Sequence, residues 1–213
     1  MDHLLSGIAK FQREVYPDKA ESFRELAEGQ QPEVLFITCA DSRIDPNLIT
    51  QSEPGELFIC RNAGNVVPPH SNQTGGMTAS IEYAVAALGV QHIVVCGHTD
   101  CGAMKGALHP ETLVTLPHVR EWLGHCRAAV EIVREQKGEL TPEHLDCVTA
   151  ENIALQLQHL RTHPAVAAKL ANGRLQLHGW LYNIESGEVS SYDDASRSLR
   201  TEAGRELGRD NEG

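Results

Sequence analysis

Two short runs, VLFIT at 34–38 and HIVVCG at 92–97, are nearly unbroken hydrophobic segments of strand length. A strand with one wet face alternates apolar and polar residues, so a run without alternation has to be covered on both faces. Doubly covered strands belong to parallel sheets flanked by helices, and this requirement narrows the fold class more than any other feature. A third run, GELFICR at 55–61, is more mixed. Between it and HIVVCG lies GGMTASIEYAVAALGV, a helix pattern with a glycine stop at Gly89. Strand, helix and strand in that order predict a right-handed parallel crossover.

The remainder of the chain is consistent with an α/β domain. LLSGIAKFQREVY has a helical apolar period, and Pro17-Asp18 is expected to end it and restart the chain into AESFRELAEG, which stops at Gly29. After residue 101, CGAMKGAL reads as a short helix, with PHVREWLGHCRAAVEIVRE and TPEHLDCVTAENIALQLQHLRTH as longer ones. Thr141 is placed to cap the last of these, with Pro142 first in the helix and His144 where a capping glutamate would stand. RLQLHGWLYNIESGEV has strand character with a turn at Ser186 and Gly187. The expectation is a single domain over 1–194, with a mainly parallel sheet flanked by helices and residues 1–30 as a helical arm. The polar tail, 195–213, has little to bury and is expected to fray or be disordered.

The formal charge of −11 argues against a nucleic-acid backbone or an anionic membrane as partner. No apolar stretch approaches the ~18 residues of a membrane span, and MDHLLSGIAKF lacks the basic-then-apolar plan of a signal peptide. Cytoplasmic residence is therefore expected, with Cys39, Cys60, Cys96, Cys101, Cys126 and Cys147 as thiols.

Sites in parallel sheets collect beyond the C-terminal strand ends. CADSR at 39–43 follows the first strand and HTDC at 98–101 follows the third, so both are expected at one edge. Cys39, His98 and Cys101 then offer two thiolates and one imidazole, a donor set suited to zinc with a fourth position left for water. Asp41 is a candidate acceptor for that water's proton, and Arg43 can grip Asp41 bidentately and keep it off the metal. Three alternatives stay open on spacing alone: a closed structural zinc with Asp41 or His109 as fourth ligand, a small-anion binding protein without turnover, and no metal at all. A nucleophilic cysteine is disfavoured, because C-x3-R is too short for a phosphate-cradling loop. Cys60, Cys96, Cys126 and Cys147 read as inert thiols, and His3, His125, His144 and His159 as exposed or core-edge residues.

CADSR, PGELF with RNAGNVV, GGMTASIEYAVAALGV and GHTDCGAMKG together resemble the β-class carbonic anhydrases. KFQREVYP and RLQLHGWLYNIESG resemble most the bacterial branch associated with cyanate detoxification. The resemblance covers residues 3–194. It implies zinc on Cys39, His98 and Cys101, with Asp41 and Arg43 as the catalytic dyad. The implied reaction is reversible hydration of carbon dioxide to bicarbonate and a proton by zinc-bound hydroxide. Gln30, Phe58, Ala63, Tyr83 and the N–H of Gly102 match positions lining the substrate pocket, some of them across a dimer interface. The resemblance further implies a dimer with N-terminal helices wrapped on the partner, often built into tetramers or octamers. Members inhibited by bicarbonate carry a tryptophan where this chain has Phe36, while Arg61 is common to both groups. An open, non-allosteric enzyme is therefore expected.

Overall fold

A computed structural model of the chain describes residues 1–193, 196 and 198–201. Four parallel strands form the heart of a six-stranded sheet: β1 (Val34–Cys39), β2 (Leu57–Asn62), β3 (His92–His98) and β4 (Gln176–Tyr182). β5 (Val189–Asp193) and β6 (Ser198–Thr201) continue it antiparallel, in the order β2-β1-β3-β4-β5-β6. The sheet thus runs past residue 194, where the sequence reading ended the domain, because β6 adds to the free edge of β5. The rest of the expected polar tail, 202–213, lies outside the described residues.

The three strand-like runs become β1, β2 and β3, with a short helix α3 (Pro46–Thr50) between the first two, but the crossover helix connects strands that are not neighbours. The chain leaves β2, forms α4 (Gly76–Glu82) and a π turn to Leu88, and re-enters as β3 on the far side of β1. Gly89 ends that helix in the left-handed region at φ 74°, as its position in the sequence suggests.

At the N-terminus the structure departs from expectation. Pro17 does not restart the chain: α1 (Asp2–Lys10) passes through a π turn at Phe11–Val15 directly into α2 (Tyr16–Glu28). A proline ring clashes with the carbonyl four residues back, and the widened turn just before it relieves that conflict without breaking the helix. Neither α1 nor α2 contains a buried residue, and Leu4, Leu5, Ile8 and Phe11 are exposed.

Downstream, α5 (Gly102–Leu108), α6 (Pro117–Trp122), α7 (Arg127–Lys137) and α8 (Leu145–Arg161) match the helical patterns; α6 and α7 are joined by a 3₁₀ turn. His144 does stand in for a capping glutamate, its Nδ1 accepting from the Thr141 N–H at 3.0 Å. α9 (Pro164–Ala171) was not foreseen. The β4–β5 turn closes on Asn183, whose N–H donates to the Glu188 carbonyl at 2.8 Å.

One sheet face buries Leu35, Ile37, Ile93 and Val95 beneath α4, α8 and α9. A second cluster, Met104, Leu108, Leu123, Val130 and Val148, packs α5–α8 around Cys39 and Cys101. The two meet at α8, which approaches the sheet closely because Gly97 and Gly179 have no side chain. A Cβ on Gly179 would stand 2.7 Å from Ile153 Cγ2. Gly179→Ala should therefore destabilise the fold by about 1–3 kcal/mol, seen as a lower urea midpoint with unchanged slope.

Candidate metal centre

β1 and β3 are parallel neighbours with Thr38 beside Cys96, so their last residues, Cys39 and His98, reach the same edge of the sheet. Two residues after His98 the chain turns sharply at Asp100, a non-glycine in the left-handed region at φ 56°. That turn returns Cys101 to the edge as the residue preceding α5. The donor atoms of Cys39, His98 and Cys101 all lie within 4.8 Å of one another, and all three residues are buried. The expected juxtaposition is therefore present.

The donor chemistry fits zinc. Cys39 Sγ and Cys101 Sγ are 4.0 Å apart, too far for a disulfide. Two thiolates sharing one tetrahedral zinc, at ~2.3 Å each, stand ~3.8 Å apart. His98 Nδ1 lies 2.8 Å from the Thr99 carbonyl and must donate to it, leaving the Nε2 lone pair free. That Nε2 is buried without a hydrogen-bond partner; among the described residues only the Asn65 carboxamide shares that condition. A buried imidazole nitrogen facing two sulfurs, with its other nitrogen tied to a backbone carbonyl, is a ligand waiting for a cation.

The electrostatics separate the two sulfurs. The facing Cys101 thiol, helped by the Gly64 N–H, draws the Cys39 thiol below its ordinary range against the opposing effect of burial. Cys101 moves upward, because it faces the charge on Cys39 and is buried; the Ala103 and Met104 N–H groups at the start of α5 pull the other way. Two facing sulfurs oppose each other's ionisation, and a divalent cation between them would let both ionise.

Asp41 sits beside this set, Oδ2 3.8 Å from His98 Nε2. Arg43 holds both of its oxygens, Nε to Oδ1 at 2.9 Å and Nη2 to Oδ2 at 2.8 Å. These bonds keep Asp41 well below the usual carboxylate range. Arg43 is itself gripped on the far side by Asp100, Nη1 to Oδ2 at 3.0 Å. His109, the other candidate for a closed site, lies at the opposite end of α5 and pairs with Glu111 at 3.2 Å.

The expected pocket residues divide into two groups. Ala63 and Gly102 lie at the centre: Ala63 precedes Gly64, whose N–H donates to Cys39 Sγ at 3.4 Å, and Gly102 opens α5 with open space where a Cβ would be. Gln30, Phe58 and Tyr83 are not there in this chain. Phe58 pairs with Leu35, four residues before Cys39 and thus ~13 Å along the strand. Tyr83 packs against Phe58 with ring centres 6.0 Å apart, and Gln30 precedes the opposite end of β1.

Sequence reasoning gave no site role to Arg61, Gly64 or Asp100. Arg61 braces the loop after β1, donating to the Cys39 carbonyl at 3.1 Å and the Asp41 carbonyl at 2.7 Å. Its place at the end of β2, beside β1, was the available signal.

A carboxylate with a depressed folded-state pKa contributes stability above its unfolded value, near 4, and loses it as pH falls towards the folded value. The metal-free Arg43→Ala variant should accordingly show a shallower loss of urea stability than the metal-free wild type as pH drops from ~4 to ~2.

A family model described as carbonic anhydrase matches residues 34–189. The carbonic anhydrase of Pseudomonas aeruginosa is 50% identical over 197 residues, 92% of this chain and 90% of the relative. That of Synechococcus elongatus is 49% identical over 191 residues, 89% of this chain and 70% of the relative. Among solved structures, the β-carbonic anhydrase CcaA superposes with a TM-score of 0.91 at 46% identity, covering 94% of this chain and 98% of that one. One of two tetrameric β-carbonic anhydrases from Sordaria macrospora superposes at 0.80 with 31% identity, covering 89% and 95%.

Proposed function

The chain belongs to the β-class carbonic anhydrases, and from that premise we propose how its residues divide the hydration of carbon dioxide. The observation that carries the reading is the Cys39–His98–Cys101 cluster with a free His98 Nε2 and Asp41 restrained beside it. When bound there, zinc supplies the Lewis acidity that makes water a nucleophile near neutral pH. Asp41, ionised throughout the working range, accepts a hydrogen bond from the attacking water, aims a lone pair at the carbon and takes part in releasing the proton. Arg43 keeps both Asp41 oxygens occupied, so the carboxylate orients solvent and stays off the metal. The Gly102 N–H donates to substrate oxygen as negative charge develops. A purely structural zinc, or a small-anion carrier, has no use for a carboxylate held this way.

Gln30, Phe58 and Tyr83 lie away from Cys39 in their own chain, so we assign them to the pocket wall of a second copy. The unburied apolar face of the N-terminal arm supports such pairing, as does the tetrameric state of the Sordaria enzymes. The unit is a homodimer, with a tetramer or octamer built from it. Phe36, standing where bicarbonate-inhibited members carry a tryptophan, supports the open type without bicarbonate inhibition. A cytoplasmic place fits the absence, among the described residues, of any helix able to cross a membrane. KFQREVYP and RLQLHGWLYNIESG support the cyanate-associated bacterial branch, and its catalytic domain spans residues 1–194 with β6 added to the same sheet beyond it.

Stopped-flow hydration of carbon dioxide tests the assignment. Asp41→Asn should keep its zinc and lose about 10²-fold or more in kcat, and wild-type turnover in that variant would remove Asp41 from the reaction. Cys101→Ser should lose zinc and activity together. Dilution until the dimer dissociates should abolish turnover before zinc is lost, and added bicarbonate should not give sigmoidal inhibition.

A further inference from the structure

One buried polar network outside the ligand set ends at the metal centre. It begins on α8, where Asn152 and Gln156, one helical turn apart, are both fully buried. Gln156 Nε2 donates to Asn152 Oδ1 at 2.8 Å, so the two amides act as one unit. Asn152 Nδ2 donates to the Gly64 carbonyl at 3.2 Å, and Gln156 Oε1 accepts from the Val67 N–H at 2.8 Å. His159, on the next turn, has Nδ1 2.7 Å from the Val67 carbonyl. One helix face thereby grips the loop after β2 at both ends.

That loop is tightly constrained. Gly64 and Asn65 both take left-handed backbone, φ 82° and 47°. A Cβ on Gly64 would lie 2.9 Å from Met104 Cε and 3.1 Å from Ala103 Cβ. Asn62 ties the loop to itself, accepting from the Val66 N–H at 2.7 Å and donating to the Val66 carbonyl at 2.9 Å. The Gly64 carbonyl faces Asn152, and its N–H donates to Cys39 Sγ at 3.4 Å. Asn152 is therefore two hydrogen bonds removed from a metal ligand and 113 residues downstream of it in the chain.

We propose that Asn152, backed by Gln156, is a positioning residue for the metal: it fixes Gly64 so that the Gly64 N–H stays aimed at Cys39 Sγ. A hydrogen bond to a zinc-bound sulfur withdraws some of the electron density that two thiolates donate, and it holds that sulfur in one orientation for the cation. The inference rests on the zinc reading of Cys39, His98 and Cys101. The competing account is that the two amides only satisfy buried backbone groups of the loop. It predicts a loss of fold stability with no separate effect on the metal.

The test compares zinc-loaded wild type with Asn152→Leu, Asn152→Asp and Val166→Ala. Asn152→Asp keeps the bond from Gln156 and loses the donor to Gly64, so it decides the matter should Asn152→Leu fail to fold. Val166→Ala opens the core beneath α9, away from the loop, as a stability control. Each protein is held well below its melting temperature, and zinc transfer to a chromophoric chelator is timed. The cobalt-substituted forms are compared by their thiolate-to-metal absorption. The Asn152 variants should release zinc 10–100-fold faster and shift the cobalt band, while Val166→Ala behaves as wild type. Zinc release at the wild-type rate from folded Asn152 variants, or equal acceleration by Val166→Ala, would overturn the proposal and leave the metal reading intact. A wild-type protein that takes up no zinc would instead overturn the metal reading itself.

Discussion

The parallel pairing of β1 with β3 is the constraint on which the rest of this molecule depends. Their shared register ends both strands at one edge, and only there do Cys39 and His98 meet. A slip of the pairing would carry His98 ~3.3 Å along the edge for each residue and pull the donor set apart. Several features enforce the register. Leu35, Ile37, Ile93 and Val95 are sealed beneath α4, α8 and α9, while Phe36 and Val94 are buried on the other face. α8 seats on Gly97, immediately before His98, with Ile153 filling the space a side chain would take. The helix that closes the core is thus also the one that reaches the loop against Cys39.

Charge explains why the edge is built as it is. Two thiolates neutralise a divalent ion and weaken its hold on the acidity of water, so a third anionic ligand would be costly for catalysis. Asp41 lies close enough to become that ligand. Its two bonds to Arg43, with the clasp of Asp100 on Arg43 from behind, occupy both carboxylate oxygens and oppose that ligation. Both Arg43 and Asp100 are exposed, yet their bonds are short and mutually supporting, which gives this pairing more hold than an isolated surface ion pair.

Much of this was legible in the sequence where the signal is local. Unalternating runs gave the central strands, and CADSR and HTDC stood at their ends. The reading failed where the cause is not local. Pro17 looked like a helix break, but a π turn upstream absorbs it. PAVAAKLA is short and alanine-rich, and only its packing on the core makes it α9. Ser198–Thr201 reads as polar tail until β5 offers an edge. Arg61, Gly64, Asn152 and Gln156 reach the centre through tertiary contacts spanning 20–89 residues, which no spacing rule anticipates. Gln30, Phe58 and Tyr83 came from family resemblance alone, and within one chain they stand apart from the ligands.

What occupies the fourth position of the metal separates an open catalytic site from a closed one. A crystal structure of the zinc-loaded protein near neutral pH addresses this directly. It should show zinc on Cys39 Sγ, His98 Nε2 and Cys101 Sγ, with solvent as the fourth ligand and both Asp41 oxygens still on Arg43. Zinc coordinated by the Asp41 carboxylate under those conditions, with Arg43 released, would contradict the open site.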